Sequence, residues 1–513
     1  MLGNIFGHSL EIISGFFKGI GNSELVKTIA QGLEKGLEFS NNILWGYVLI
    51  VLLIGSGLYF TYKLKFANLT QIKEMFKIML EKKEGNGISP FQAFCVSAGS
   101  KVGTGSLAGV AIAISLGGPG SVFWMWVLTL IVGSLSIVEN ILAQIYKEKK
   151  DGLFRGGPAF YMEKAMKKRW MGIAFSILLT VTYGLIFNAV QSNTMTIAIK
   201  NFCGIDRLKS GLIIVVLTAA VVYGGMKRIA KVSEIIVPLM GASYLLVALF
   251  VVGKNIGELP GVISMIFANA FGLKAIGGGT LGMIVMQGVK RGLFSNEAGM
   301  GSTPNAGASA SASHPAKQGL IQTLGVYVTT LGVCTATAFI ILFSGVLNQE
   351  LDGIGYTQAA MKVQLGSVGD IFLLLCIVLF AYTTIIGNYY YGQTNLEYLN
   401  ADKGIKIQIF RVLVLFMVFF GAVRESQFVW NTADLFMALM AIFNIYAIIK
   451  LRKPAIQAME HYINGRKVGM DPIFTTNVLD DNTGVECWTE NGEVPLEDEE
   501  EVYVEVPQPE TEM

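Results

Sequence analysis

Two stretches of this 513-residue chain carry glycine and polar side chains where the surroundings are strongly apolar. The first, FQAFCVSAGSKVGTGSLAGVAIAISLGGPGS, places four glycines between Gly99 and Gly109 beside Ser100, Thr104 and Ser106. Glycine is costly inside a helix, so this stretch is expected to unwind. In hydrocarbon the freed N–H and C=O groups have no water to bond, so an unwound stretch must be buried in protein or line a polar cavity. Those groups are also the chemistry. The half-helix starting near Ser106 would offer N–H donors and a positive dipole end to an anion such as an amino-acid carboxylate, and carbonyls ending the preceding half-helix can bind a cation. Thr104 and Gly105, with Ser106 beside them, are the candidates for the carboxylate, and the carbonyls of Gly99 and Val102 for the cation. Close helix packing through Gly105 and Gly109 is the competing reading.

The second stretch, GGGTLGMIVMQGVKRGLFSNEAGMGSTPNAGASASASHPAKQGL, is also glycine-rich and is interrupted by Pro304. Lys290, Arg291, Asn296 and Glu297 fall at or near membrane depth, where ionisable groups are expensive and mark function or a paired partner. Arg291 and Glu297 are expected either to pair and seal the unwound stretch or to act in gating. Ser295 and Asn296 could present oxygen to a substrate ammonium. Elsewhere, Phe187 and Gln191 share a helical face at i,i+4, and Gln191 can both donate to and accept from a zwitterion. Thr383 and Thr384 interrupt an apolar run beside Tyr382 and Asn388. Adjacent hydroxyls facing an unwound carbonyl cluster would suit Na+, whereas bonding back to their own helix is the alternative. Glu139 and Asp434 lie near span ends, where solvated or paired roles are expected.

The elements that must position these residues are membrane helices. The chain is 52% hydrophobic and only 15% charged, more apolar side chain than one soluble core of its length could bury. About nine clean apolar spans, near 43–62, 120–146, 172–199, 211–225, 232–253, 320–346, 369–393, 406–422 and 428–449, approach the ~20 residues a crossing requires. The two broken segments, 89–116 and 264–311, bring the count to about eleven. Lys and Arg concentrate in 63–88 and 147–169 and recur at Lys227, Arg228, Lys231, Lys317, Lys403, Lys406, Lys450, Arg452 and Lys453. Placing them in the cytoplasm puts the N-terminus outside and the C-terminus inside.

The organisation expected is an amphipathic N-terminal segment (1–40) and a peripheral transmembrane helix with a basic loop (43–88). Two five-helix repeats (89–253 and 262–449) and an acidic cytoplasmic tail (450–513), solvated after about 466, complete it. Setting aside the first span, each broken helix opens a set of five. Five is odd, so the sets run in opposite directions, as inverted repeats around a midplane site do.

Other function classes are excluded by what is missing. Net charge is +2 with no basic stripe, so no nucleic-acid partner is expected. Cys95, Cys203, Cys334, Cys376 and Cys487 stand apart, and His8, His314 and His461 are scattered, so neither a disulfide framework nor a metal centre is indicated. No HExxH, GxSxG or P-loop is present, so the chain is not read as an enzyme and no cofactor is expected. A channel requires no matched broken helices. Proton coupling is the nearest rival to Na+, with Glu297 the one carboxylate inside the broken helices.

GTGSLAGVAIAISLGGPGSVFWMWV, the GGPAFYM loop, and RGLFSNEAGMGSTPNA followed by HPAKQGL resemble the signatures of the alanine or glycine:cation symporter family, the sodium:alanine symporters. The similarity runs from about residue 43 into the tail, where DPIF and ECW also match. The resemblance implies an all-α integral membrane protein of leucine-transporter type, a 5+5 inverted repeat with one additional N-terminal transmembrane helix, in the plasma membrane. It implies import of alanine or glycine with Na+. The unwound part of core helix 1 corresponds to Gly99 through Ser106, and the hydroxyls of core helix 8 to Thr383 and Thr384. Where the family commonly has Asn after GTG, this sequence has the shorter Ser106.

Overall fold

The computed structural model describes residues 24–81, 88–223, 226–272, 280–401 and 403–494. Outside the described residues lie 1–23 of the amphipathic segment, Lys82 and Lys83 of the basic loop, the glycines at 277–279, and the acidic residues from 495 onward; the side chains of Lys227, Arg228 and Lys231 are likewise undescribed.

Among the described residues eight helices are long and apolar enough to cross a bilayer, and one bent pair, taken as a single span, makes a ninth. The first is α1 (Gln31–Lys63). The bent pair is α2 (Pro90–Lys101) and α3 (Gly105–Gly117), which meet at 51°. Next come α4 (Gly120–Ile145), α5 (Arg169–Cys203), α6 (Arg207–Val222), α7 (Met226–Lys254) and α8 (Leu259–Ala270). The second glycine-rich stretch forms α9 (Leu281–Asn296) and the short α10 (Pro304–Ala308). After these follow α11 (Pro315–Ser344), α12 (Gly353–Tyr398), α13 (Gly404–Val423), α14 (Ser426–Lys450) and α15 (Arg452–Lys467). Helices α6 and α9 have 16 residues each, short of the ~20 of a full crossing. Helix α12 is kinked at Gly366, whose φ of 64° no β-carbon would favour.

Local chemistry sets the boundaries. Ser89 and Gln92 close a capping box around Pro90 at the start of α2. Asp206 caps α6, and His314 caps α11 ahead of Pro315. Left-handed Gly204 and Gly345 end α5 and α11. The expected amphipathic segment is not a separate element: its described part, from Glu24, is helical and runs without a break into α1.

Helix α4 is buried along most of its length and packs against α9 and α11, while α5 packs against α12 and α13. At the α5–α13 crossing a β-carbon on Gly421 would lie 2.5 Å from Ala189 Cα, so the backbones touch as small residues permit between membrane helices. Helix α1 lies against α4 and α14; Trp45 Nε1 donates to the Asp434 carbonyl at 3.2 Å.

The expectation of a solvated chain after about residue 466 is corrected by the structure. Helix α15 runs to Lys467, and residues 474–493 pack under the ends of α4 and α11. Phe474 N–H donates to the Ser313 carbonyl, Trp488 Nε1 donates to the Gln144 carbonyl at 2.8 Å, and Glu493 pairs with the buried Lys147 at 2.5 Å. Isolated aromatics such as Phe474 and Trp488 leave no periodic signal, yet both are buried.

The same packing joins two histidines distant in sequence. His314 Nε2 lies 3.1 Å from His461 Nδ1, with Tyr462 and Phe474 against the His314 ring. Lys317, one turn along α11, is itself bound to Glu81 and Asp471. Burial, then His461 and Lys317, hold His314 well below its ordinary value of 6.5, and burial lowers His461 as well. The unfolded chain therefore binds more protons than the folded one below about pH 6.5, so stability is present above that pH and is lost as pH falls through it. The melting temperature of purified protein should drop between about pH 7.5 and 5.5, and His314→Asn, which keeps a capping acceptor, should flatten the drop. An unchanged pH profile in that variant would remove the histidine pair from the effect.

Candidate functional site

At the first break, Val102 leaves the helix with φ −82° and ψ 73° after Lys101, and the chain resumes at Gly105 in a wide π-type turn, Gly105–Gly109. Two more such turns flank it, Thr180–Phe187 in α5 and Val328–Cys334 in α11. Widened turns inside helices are frequent at functional sites; here they supply Tyr183, Phe187 and Cys334.

The freed backbone groups of the first break meet two of the expected partners. Thr104 N–H donates to Gln191 Oε1 at 3.1 Å, and Thr384 Oγ1 donates to the Gly99 carbonyl at 2.8 Å. Ser106 and Ser295 hydroxyls lie 2.9 Å apart, and Ser295 also reaches Cys334 Sγ at 3.0 Å. A β-carbon on Gly105 would lie 2.6 Å from Phe294 Cδ1, so the ring closes directly on the break. Phe294 packs in tilted contact against both Phe187 and Trp430, with ring centroids 4.8 Å apart, and Phe187 against Tyr183 at 4.7 Å. Thr104 Oγ1 is buried in this cluster with no hydrogen bond among the described residues.

Beyond Trp430 lies a charged lock. Arg291 Nη2 and Lys290 Nζ both contact Asp434 Oδ2, at 2.6 and 2.9 Å, and the Arg291 guanidinium sits 4.7 Å over the Trp430 ring. The expected Arg291–Glu297 pair is therefore not formed. The two lie only six residues apart, but Arg291 sits within α9 and reaches Asp434 of α14, whereas Glu297 is the left-handed residue that ends α9. Glu297, at φ 58°, instead accepts from Ser100 Oγ at 3.0 Å and Ser302 Oγ at 2.7 Å.

The second break, residues 297–303, is held by Glu139 of α4. Its carboxylate accepts from the N–H groups of Gly299 and Gly301, both at 3.1 Å, and from Asn444 Nδ2 at 2.7 Å. Gly299 and Gly301 have φ of 83° and 81°, a conformation that needs glycine. Asn444 returns a second bond to the Gly299 carbonyl at 3.0 Å.

The structure thus gathers Gly99, Thr104, Gly105, Ser106, Phe187, Gln191, Ser295 and Thr384 around one point; Val102 lies at the same break. Two expected residues face elsewhere. Thr383 Oγ1 bonds back to Phe380 in its own helix at 3.0 Å. Asn296 spends its side chain on Thr129 and on the N–H of Ala298. Lys101 was missed by sequence reasoning although it stands inside the first broken segment. It is buried, bonds the Gln322 carbonyl at 3.3 Å and lies within electrostatic reach of Glu297 and Glu139. Its signal was an ionisable residue within a span. Asp434 is paired, one of the two roles expected of it and of Glu139, whereas Glu139 is held by the neutral donors of Gly299, Gly301 and Asn444; both carboxylates are fully buried.

The chain is similar to known proteins over most of its length. The profile of the sodium:alanine symporter family matches residues 30–476. A probable sodium/glutamine symporter of Bacillus subtilis, GlnT, is 50% identical over 89% of this chain and 96% of its own length. The amino-acid carrier protein AlsT of the same organism is 47% identical over 88% of this chain and 97% of its own. The sodium/alanine symporter AgcS of Methanococcus maripaludis is 35% identical, covering 83% and 96%.

Glu139→Ala should leave three buried donors unpaired at about 1–3 kcal/mol each, lowering thermal stability and abolishing transport, with Glu139→Gln milder. Thermal unfolding in detergent checks this; an unshifted melting temperature for the alanine variant would contradict the bracing role.

Proposed function

The chain belongs to the sodium:alanine symporter family, a family of amino-acid:cation symporters rather than enzymes, and from that premise we propose that it imports alanine or glycine together with Na+. The ion would sit between the carbonyls of Gly99 and Val102 and the hydroxyl of Thr384. The amino acid would lie beside it, its carboxylate at Thr104 and Gly105 and its ammonium toward Ser295, under the rings of Phe187 and Phe294. The carrying observation is the Thr384 hydroxyl on the Gly99 carbonyl at 2.8 Å, next to the unbonded buried hydroxyl of Thr104. Oxygen ligands of this kind suit a hard monovalent cation.

H+ is the nearest rival to Na+, with Glu297, the carboxylate held by Ser100 and Ser302 at the breaks, as the group a coupling proton would occupy. Alternating access follows if the Arg291–Asp434 lock and the aromatic lid close one side while the other opens, ligand and ion together biasing the equilibrium. This reading takes the two short helices α6 and α9 as spans, giving eleven, arranged as a 5+5 inverted repeat after α1 with the N-terminus outside and the C-terminus in the cytoplasm. It places the chain in the plasma membrane.

A second substrate, glutamine, is favoured by the 50% identity to the probable sodium/glutamine symporter and by the short Ser106 side chain, which leaves more room than Asn.

Reconstituted in liposomes, the protein should concentrate radiolabelled alanine under an inward Na+ gradient, with K+ replacement and a proton gradient alone both inactive. Concentration driven by protons alone would reassign the ion. Competition by glutamine in preference to alanine and glycine would reassign the substrate. Thr384→Ala should raise half-saturating Na+ by roughly tenfold, the loss of about one favourable oxygen contact, at unchanged expression. Unaltered Na+ activation would remove Thr384 from the ion site.

A further inference from the structure

A concavity lies away from the transport site, where α1 and α14 end side by side and α15 begins. It measures about 710 Å3, within the ~300–1,000 Å3 usual for a bound small molecule. Lys63 is the last residue of α1 and Lys450 the last of α14. Together with Lys65, Arg452 and Lys453 they bring five cations to the lining, against the single carboxylate of Glu460. That carboxylate is taken by Lys65 at 2.8 Å, and Lys453 is paired outward with Asp480 at 2.5 Å. Lys63, Lys450 and Arg452 form no ion pair among the described residues. Tyr59 and Tyr62, one turn and less before the end of α1, complete the wall.

We infer that this cavity is a binding site for the phosphodiester headgroup of an anionic phospholipid. Cations retained merely to orient a membrane protein need only be on the correct side, and solvation spreads them. Here Lys63, Lys450 and Arg452, none of them in an ion pair among the described residues, line one concavity where α1, α14 and α15 meet. The position selects a lipid over a soluble anion. Both flanking helices are membrane spans that terminate at the cavity, which sets it at headgroup depth, and tyrosines at that depth are typical of the membrane–water interface. Basic pockets between transmembrane helices are an established geometry for anionic headgroups. A lipid seated there would bridge α1 to α14, and so to the helix that carries Asp434.

Native mass spectrometry of the full-length detergent-purified protein tests this with phosphatidylglycerol, phosphatidylcholine and glycerol phosphate as probes. The wild type should retain one phosphatidylglycerol at least about tenfold more tightly than phosphatidylcholine, given that each basic residue near the surface contributes several-fold. Glycerol phosphate should not displace it at equal concentration. The variant Lys63→Gln/Lys450→Gln/Arg452→Gln should lose this preference, and Arg452→Gln alone should weaken it should the triple variant not fold. Lys73→Gln/Lys77→Gln/Lys467→Gln, which removes the same charge elsewhere, should keep it. Equal loss in that control would show diffuse charge rather than a site, and displacement by glycerol phosphate would show a soluble-anion site; either overturns the inference, as does equal retention of the two lipids.

Discussion

Backbone that leaves the helix at membrane depth must find every hydrogen bond inside the protein, and the rest of this structure is arranged around that requirement. Glu139 satisfies the turn at Gly299 and Gly301, Asn444 takes up both the carboxylate and the Gly299 carbonyl, and Gln191 receives the Thr104 N–H. Helices α4, α5 and α14 are therefore committed to the two breaks before any ligand arrives. Each supplies a polar group to a turn that lipid could not solvate. The Thr104 hydroxyl, which has no hydrogen bond among the described residues, stays free of this bracing.

The lid and lock above the break follow from the same geometry. Gly105 lets the Phe294 ring approach to a distance no larger residue would tolerate. Phe294 in turn packs against Phe187 and Trp430, and Trp430 carries the Arg291 guanidinium that Asp434 holds. A ligand at the break would thus touch the first member of a chain of aromatic contacts ending in an ion cluster. A buried Asp434 shared by two cations is costly to assemble from water and costly to break one partner at a time, which suits an element with two discrete states.

Much of this was legible in the amino-acid order. Eight of the nine apolar runs coincide with helices of membrane length, and the first break follows from glycines crowded among hydroxyls; Gln191, Phe187 and Thr384 stood out as polar or aromatic interruptions on buried faces. What periodicity does not encode is which partner a buried charge finds across the fold. Arg291 was set against Glu297 because they are neighbours in sequence, whereas a left-handed turn at Glu297 separates them and Asp434 comes from α14. Glu139 and Asp434 looked like end-of-span residues because membrane depth cannot be judged from sequence to better than a turn. Lys101 sat in plain view within the broken segment. The docking of residues 474–493 rests on few aromatics and one carboxylate, too sparse for any pattern.

The central claim is that cation and amino acid occupy adjoining positions at one break, so that each strengthens the other's binding by the same factor. Calorimetric titration of alanine into purified protein across a series of Na+ concentrations, with K+ holding ionic strength constant, measures that factor directly. The account predicts an alanine Kd that falls steeply as Na+ rises, with the reciprocal effect of alanine on Na+ affinity and loss of both in Thr384→Ala. An alanine affinity indifferent to the exchange of Na+ for K+ would contradict it.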